Sequence, residues 1–141
     1  MREGLVPSCQ IAVAHRGKLV EVRTFGAASP DSLYAVFSCT KAISSAAAWL
    51  LIQEGKLGLD ERVADVIPEF GTNGKDAVLV EHLLTHTAGF PQAPYAQHEW
   101  HDRAARLARF ARWRLDWEPG SRFEYHPSSS MRSEEHTSEL Q

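Results

Sequence analysis

The chain has 141 residues, room for one modest domain, with 43% hydrophobic and 23% charged residues, the balance of an ordinary globular protein rather than a disordered one. A formal net charge of −3 supplies no electrostatic pull toward nucleic acid or an anionic membrane. Two cysteines, Cys9 and Cys39, do not make a disulfide framework and suit a reducing compartment.

Residues 9–26 carry a β pattern. Cys9, Ile11 and Val13 alternate with Gln10, Ala12 and Ala14; the turn set His15-Arg16-Gly17-Lys18 follows, then the run Leu19 to Phe25. Two such runs around a short Gly-bearing link predict an antiparallel hairpin. Residues 27–31 read as a loop and 33–37 as an extended lead-in to Ser38.

From Ser38 the pattern turns helical and stops at Gly55, a C-cap residue. A helix of that length spans about 25 Å. Ala42, Ala46, Ala47, Ala48, Trp49, Leu50, Leu51 and Ile52 leave no polar stripe, which predicts a helix buried on all sides. Ser38 and Lys41 stand at its mouth, i and i+3 on one face, about 5–6 Å apart at Cβ. Serine becomes a useful nucleophile when a neighbouring base takes its proton. Lysine serves as that base when burial, nearby positive charge or a helix N-terminus favours the neutral amine. Position 41 offers the first and third.

Asp60 is the expected N-cap of a helix over 61–66, and Pro68, Gly71 and Gly74 break the chain. A short helix is predicted near 80–85, closed by Ala88-Gly89 and Pro91. An amphipathic helix follows over 102–114, with Ala104, Leu107, Ala108 and Ala111 on one face and Pro119-Gly120 after it. Phe123-Glu124-Tyr125-His126-Pro127 reads as extended or loop. Residues 132–141 differ in kind: Arg-Ser-Glu-Glu-His-Thr-Ser-Glu-Leu-Gln resembles the translation of a widely used sequencing-library adapter. They are expected to be non-native, with the gene cut near Met131. Removing their one arginine and three glutamates leaves a net charge of −1, so the reading of partners is unchanged.

Ser38-Cys39-Thr40-Lys41, Glu81-His82-Leu83-Leu84-Thr85-His86-Thr87-Ala88-Gly89-Phe90-Pro91 and Glu118-Pro119-Gly120-Ser121-Arg122-Phe123-Glu124-Tyr125, in that order, resemble the serine β-lactamase-related family. Its members include class C β-lactamases, D-alanyl-D-alanine carboxypeptidases and β-lactamase-like esterases. Gln53-Glu54-Gly55-Lys56-Leu57 and Leu59-Asp60 are similar as well, and the resemblance covers about residues 8–127. It implies an α+β fold of the β-lactamase/transpeptidase-like type: an antiparallel sheet flanked by helices, with an inserted helical region, here ending before the C-terminal strands. Residues 1–131 would be the N-terminal part of one such domain.

The resemblance also implies serine hydrolysis of a small-molecule ester or amide through an acyl-enzyme, with no cofactor or metal. Ser38 matches the nucleophile, Lys41 its partner, and Tyr125 the tyrosine that opens the family's Tyr-x-Asn element. The third position here is Pro127, which tilts the expectation from β-lactam amides toward esters. The alternatives are a β-lactamase or D-Ala-D-Ala carboxypeptidase, and a non-catalytic penicillin-recognising-like binding protein. The family's Lys-Thr-Gly strand and the strand completing the oxyanion hole belong further along than this sequence reaches. The 141-residue chain is therefore expected to be inactive by itself.

Other groups are read as structural. His82 and His86 sit i, i+4, but Glu81 precedes the first histidine, so the His-Glu-x-x-His metalloprotease pattern fails. His98, Glu99 and His101 form a weaker metal-ligand pattern. Arg103, Arg106, Arg109 and Arg112 predict a solvated helix face, and Cys39 a small packed residue. Tyr95, Trp100, Trp113 and Trp117 are candidates for an acyl pocket or for packing. No 18-residue apolar run and no signal-peptide segment open the chain, which favours the cytoplasm unless an upstream start exists.

Overall fold

The computed structural model describes residues 6–94, 96, 99 and 101–127. They fall into two compact units, residues 1–35 and 36–141, each described by itself. Tyr95, His98, Trp100 and residues 128–141, for which the sequence raised expectations above, lie outside the described residues.

The first unit is the expected hairpin. Strand β1 (Ser8–His15) pairs antiparallel with β2 (Lys18–Gly26), from Ser8 opposite Gly26 to His15 opposite Lys18, with a bulge between Val13 and Ala14. Arg16 and Gly17 both have positive φ, +49° and +75°, the turn whose twist matches that of the flanking strands. Gln10 Nε2 donates to the carbonyls of Ser29 and Pro30 and fastens the loop that follows β2.

The second unit opens with one 3-10 turn, Phe37–Cys39, running into helix α1 (Thr40–Gln53). Gly55, at φ +67°, ends the helix as expected, in a backbone region open to glycine at little cost. The expected burial on all sides does not hold. Lys41 is the buried residue of α1, whereas Ile43 is 68% and Leu50 61% exposed. Within this unit no described element covers the outer face of α1, so its apolar side chains remain open. Cys39, expected to be packed, is exposed as well.

The core lies further along the chain. Val63, Phe70, Val78, Ala88, Phe90, Ala93 and Trp113 pack together, flanked by Ile67, Leu83, Phe110 and Leu115. Helix α2 (Val63–Val66) is shorter than expected and Asp60 does not cap it; its N-cap is Arg62, without a side-chain cap. The competing interaction is a bridge between Arg62 and Leu79, in which Val63 N–H donates to Val78 O and Val80 N–H to Glu61 O. Helix α3 (Val80–Leu84) follows directly.

Asp102 caps α4 (Arg103–Phe110) by accepting the N–H groups of Ala104 and Ala105. Helix α4 stops at Phe110, short of Arg114. The Ala111 and Trp113 carbonyls are taken by Thr72, Asn73 and Lys75 side chains instead of a continuing helix. The solvated arginine face is also corrected at Arg109, which forms a forked pair with the buried Glu99 carboxylate. No helix among the described residues is long and apolar enough to cross a membrane.

Candidate active site

Ser38 sits in the 3-10 turn that starts α1. Phe37 before it adopts φ +44°, a left-handed conformation that costs a bulky residue on the order of 1–3 kcal/mol and is typical of functional turns. One helical turn on, Lys41 is buried, only 6% exposed. Its Nζ donates to Ser38 Oγ at 3.2 Å and to the Pro127 carbonyl at 3.2 Å. Tyr125 reaches the same oxygen from 87 residues away, its hydroxyl donating to Ser38 Oγ at 2.8 Å. Lys41 Nζ also lies 5.3 Å from the centre of the Tyr125 ring. The three residues picked from the sequence thus stand around one oxygen atom.

Two features of this cluster had no sequence signal. The first is the Pro127 carbonyl. Proline was read as the loss of an asparagine side chain, yet its backbone oxygen accepts a hydrogen bond from Lys41. A backbone acceptor carries no residue signature. The second is the support beneath Tyr125. His86, at φ +59° just after α3, accepts the His126 N–H on Nδ1 at 3.2 Å, and its carbonyl accepts the Glu124 N–H at 3.2 Å. Its ring centre is 4.8 Å from that of Tyr125. Burial, followed by the neighbouring His126 and Lys41, holds the His86 pKa below the usual histidine value.

His126 is fully buried. Its Nε2 accepts the Phe90 N–H at 3.2 Å, while Nδ1 lies 2.6 Å from the Glu124 carbonyl. That pairing requires the neutral tautomer with its proton on Nδ1. Burial depresses the pKa of His126, partly offset by its contacts with Glu124. His82 is engaged elsewhere: Nδ1 accepts the Leu79 N–H and the ring lies against Gly120. The i, i+4 histidines therefore direct their Nδ1 atoms to separate backbone N–H groups.

The cluster offers acyl transfer its basic parts: a hydroxyl on a tight turn, an amine and a phenol within hydrogen-bond reach of it, and neutral imidazoles behind. Comparison with known proteins agrees with the sequence motifs. The family described as Beta-lactamase matches residues 1–131. EstA of Arthrobacter nitroguajacolicus Rue61a superposes with a TM-score of 0.74 and 37% identity over 84% of this chain and 33% of that one. A penicillin-binding protein homolog from Caulobacter crescentus gives a TM-score of 0.78 and 33% identity over 92% of this chain and 38% of its own. A family VIII carboxylesterase gives 0.76 and 28% identity over 89% and 37%. The chain thus spans between 33% and 38% of the length of these solved structures. By that family match, and by the fold it shares with these neighbours, the chain belongs to the β-lactamase family.

Proposed function

We propose that this sequence is the Ser38-bearing part of a serine hydrolase that cleaves a carboxylic ester through an acyl-enzyme. The observation that carries the reading is the convergence of Lys41 Nζ and Tyr125 OH on Ser38 Oγ. In the first half-reaction Ser38 Oγ attacks the acyl carbonyl and its proton passes to Lys41 Nζ. As the tetrahedral adduct collapses, the leaving alkoxide takes a proton from Tyr125, which is replenished from Lys41. Water then attacks the acyl-Ser38 ester and gives its proton to the same pair; as this second adduct collapses to the acid, the pair returns that proton to the departing Ser38 Oγ.

The preference for esters rests on position 127. The residue there offers Lys41 a backbone carbonyl and has no side-chain amide with which to bind the amide of a β-lactam. Likeness to a family VIII carboxylesterase supports the same branch. We also infer that residues 1–131 are one part of a longer domain and that residues 132–141 are not native. The extent of the family match and the uncovered face of α1 support this.

The test is a substrate panel on the full-length gene product. Short-chain p-nitrophenyl esters should give a kcat/KM at least tenfold above that of a chromogenic cephalosporin, and Ser38→Ala should abolish both activities. Faster cephalosporin turnover would reassign the protein to the β-lactamase branch. Stoichiometric acylation of Ser38 without turnover would make it a binding protein.

A further inference from the structure

We propose that His86 is a positioning residue that holds the Tyr125 hydroxyl on Ser38. The proposal rests on the hydrolase reading of Ser38, Lys41 and Tyr125.

The geometry is specific to the residue that carries the phenol. His86 makes two ties to the opposing segment, its carbonyl to Glu124 N–H and its Nδ1 to His126 N–H. They fall on the two residues flanking Tyr125. Between them the imidazole lies under the Tyr125 ring, 4.8 Å between centres and tilted by 50°. One residue therefore fixes the backbone on both sides of Tyr125 and the plane of its ring. The left-handed φ of +59° lets a single residue present both its carbonyl and its side chain to that segment. For a bulky L-residue that conformation is uncommon and costs energy, and asparagine and glycine are the residues that enter it most readily.

The task requires a neutral ring. Nδ1 must be bare to accept the His126 N–H, so the His86 proton sits on Nε2. Burial favours that state first, then His126 from the opposing segment and Lys41 from α1; Tyr125, whose ring lies against the imidazole, and Glu124, whose N–H is held by the His86 carbonyl, also face it. On its own side of the turn stand Glu81 and His82 of α3. The imidazole is further backed by His126, 5.9 Å away between ring centres, itself pinned to Phe90 N–H and the Glu124 carbonyl.

The test is a double-mutant cycle in the full-length protein, read as kcat and KM on p-nitrophenyl butyrate with a thermal transition recorded for each variant. His86→Gly keeps the backbone conformation and removes ring and acceptor. It should lower kcat about 10²-fold, the scale of a misplaced catalytic group, with KM within about threefold of wild type. His86→Asn keeps the conformation and restores an acceptor near the Nδ1 site, so it should recover more than half of the logarithmic loss. In the Tyr125→Phe background either substitution should change kcat by less than about threefold, because the hydroxyl being positioned is gone. Equal losses in the two backgrounds, or unchanged kcat in His86→Gly, would overturn the proposal while leaving Ser38 chemistry intact. Should His86→Gly fail to fold, His86→Asn run through the same cycle decides the question. Turnover that survives Ser38→Ala would instead remove the reading on which the proposal rests.

Discussion

Tyr125→Phe is the sharpest perturbation of the site because it deletes one atom. The ring stays on His86, 4.8 Å between centres, and the lost oxygen is the one 2.8 Å from Ser38 Oγ. A positioned proton-transfer group contributes about 10²–10⁴-fold in rate, equivalent to about 2.7–5.4 kcal/mol in the barrier at 1.36 kcal/mol per factor of ten. The same hydrogen bond contributes far less to folding. Tyr125 is 44% exposed, and a net intramolecular hydrogen bond is worth about 0.5–1.5 kcal/mol, toward the low end when water can replace it. The prediction is therefore a dissociation of two quantities: kcat on a p-nitrophenyl ester falls by at least about 10²-fold while the thermal midpoint moves by no more than a few degrees. Stopped-flow acylation and a calorimetric scan of the same preparation measure both. A kcat within about threefold of wild type would remove Tyr125 from the chemistry, and a rate loss matched by unfolding would show that the hydroxyl serves the fold.

Three further outcomes test how the site is supported. Lys75 is fully buried and its Nζ serves the Thr72 and Trp113 carbonyls; Lys75→Met should destabilise by about 1–3 kcal/mol, the cost of orphaned buried acceptors, seen as a lower denaturant midpoint with kcat unchanged in the folded fraction. Gly89 has φ +89°, and a Cβ there would lie 2.3 Å from the Trp117 carbonyl oxygen; Gly89→Ala should cost at least about 2 kcal/mol, measured by the same denaturation curve. His126 is held neutral by burial, its pKa below the ordinary histidine value of about 6.5. The unfolded chain therefore takes up its proton first as pH falls, so stability is full above about pH 6.5 and declines below it until the folded pKa is passed. Denaturation midpoints that are flat or rising between pH 7 and 5 would contradict that account.

Much of the site was legible because its parts are local. Ser38 and Lys41 are three residues apart on one helical turn, and alternation plus Arg16-Gly17 determines the hairpin and its turn. Tyr125 was found by family resemblance, since nothing local ties it to a serine 87 residues away. Where the reading missed, a tertiary contact had outvoted a local preference. Asp60 is a good N-cap residue, but the Arg62–Leu79 bridge sets where α2 begins. The carbonyls after Phe110 are claimed by Thr72, Asn73 and Lys75, which ends α4 early. An apolar run such as 46–52 shows that a helix is built to be covered, not what covers it, and here Leu50 and Ile43 stay open. Pro127 and His86 act through a backbone oxygen and a ring nitrogen aimed at backbone, contacts that residue identity does not encode.

The central claim is that Ser38 forms the covalent bond. Treating the full-length protein with an activated alkyl phosphonate, then measuring intact mass and mapping the peptides, tests it most directly. The account predicts one adduct per chain, on the peptide containing Phe37, Ser38 and Cys39, assigned to Ser38 by fragmentation and absent in Ser38→Ala. An adduct on the exposed Cys39, or continued ester turnover with Ser38 unmodified, would contradict it.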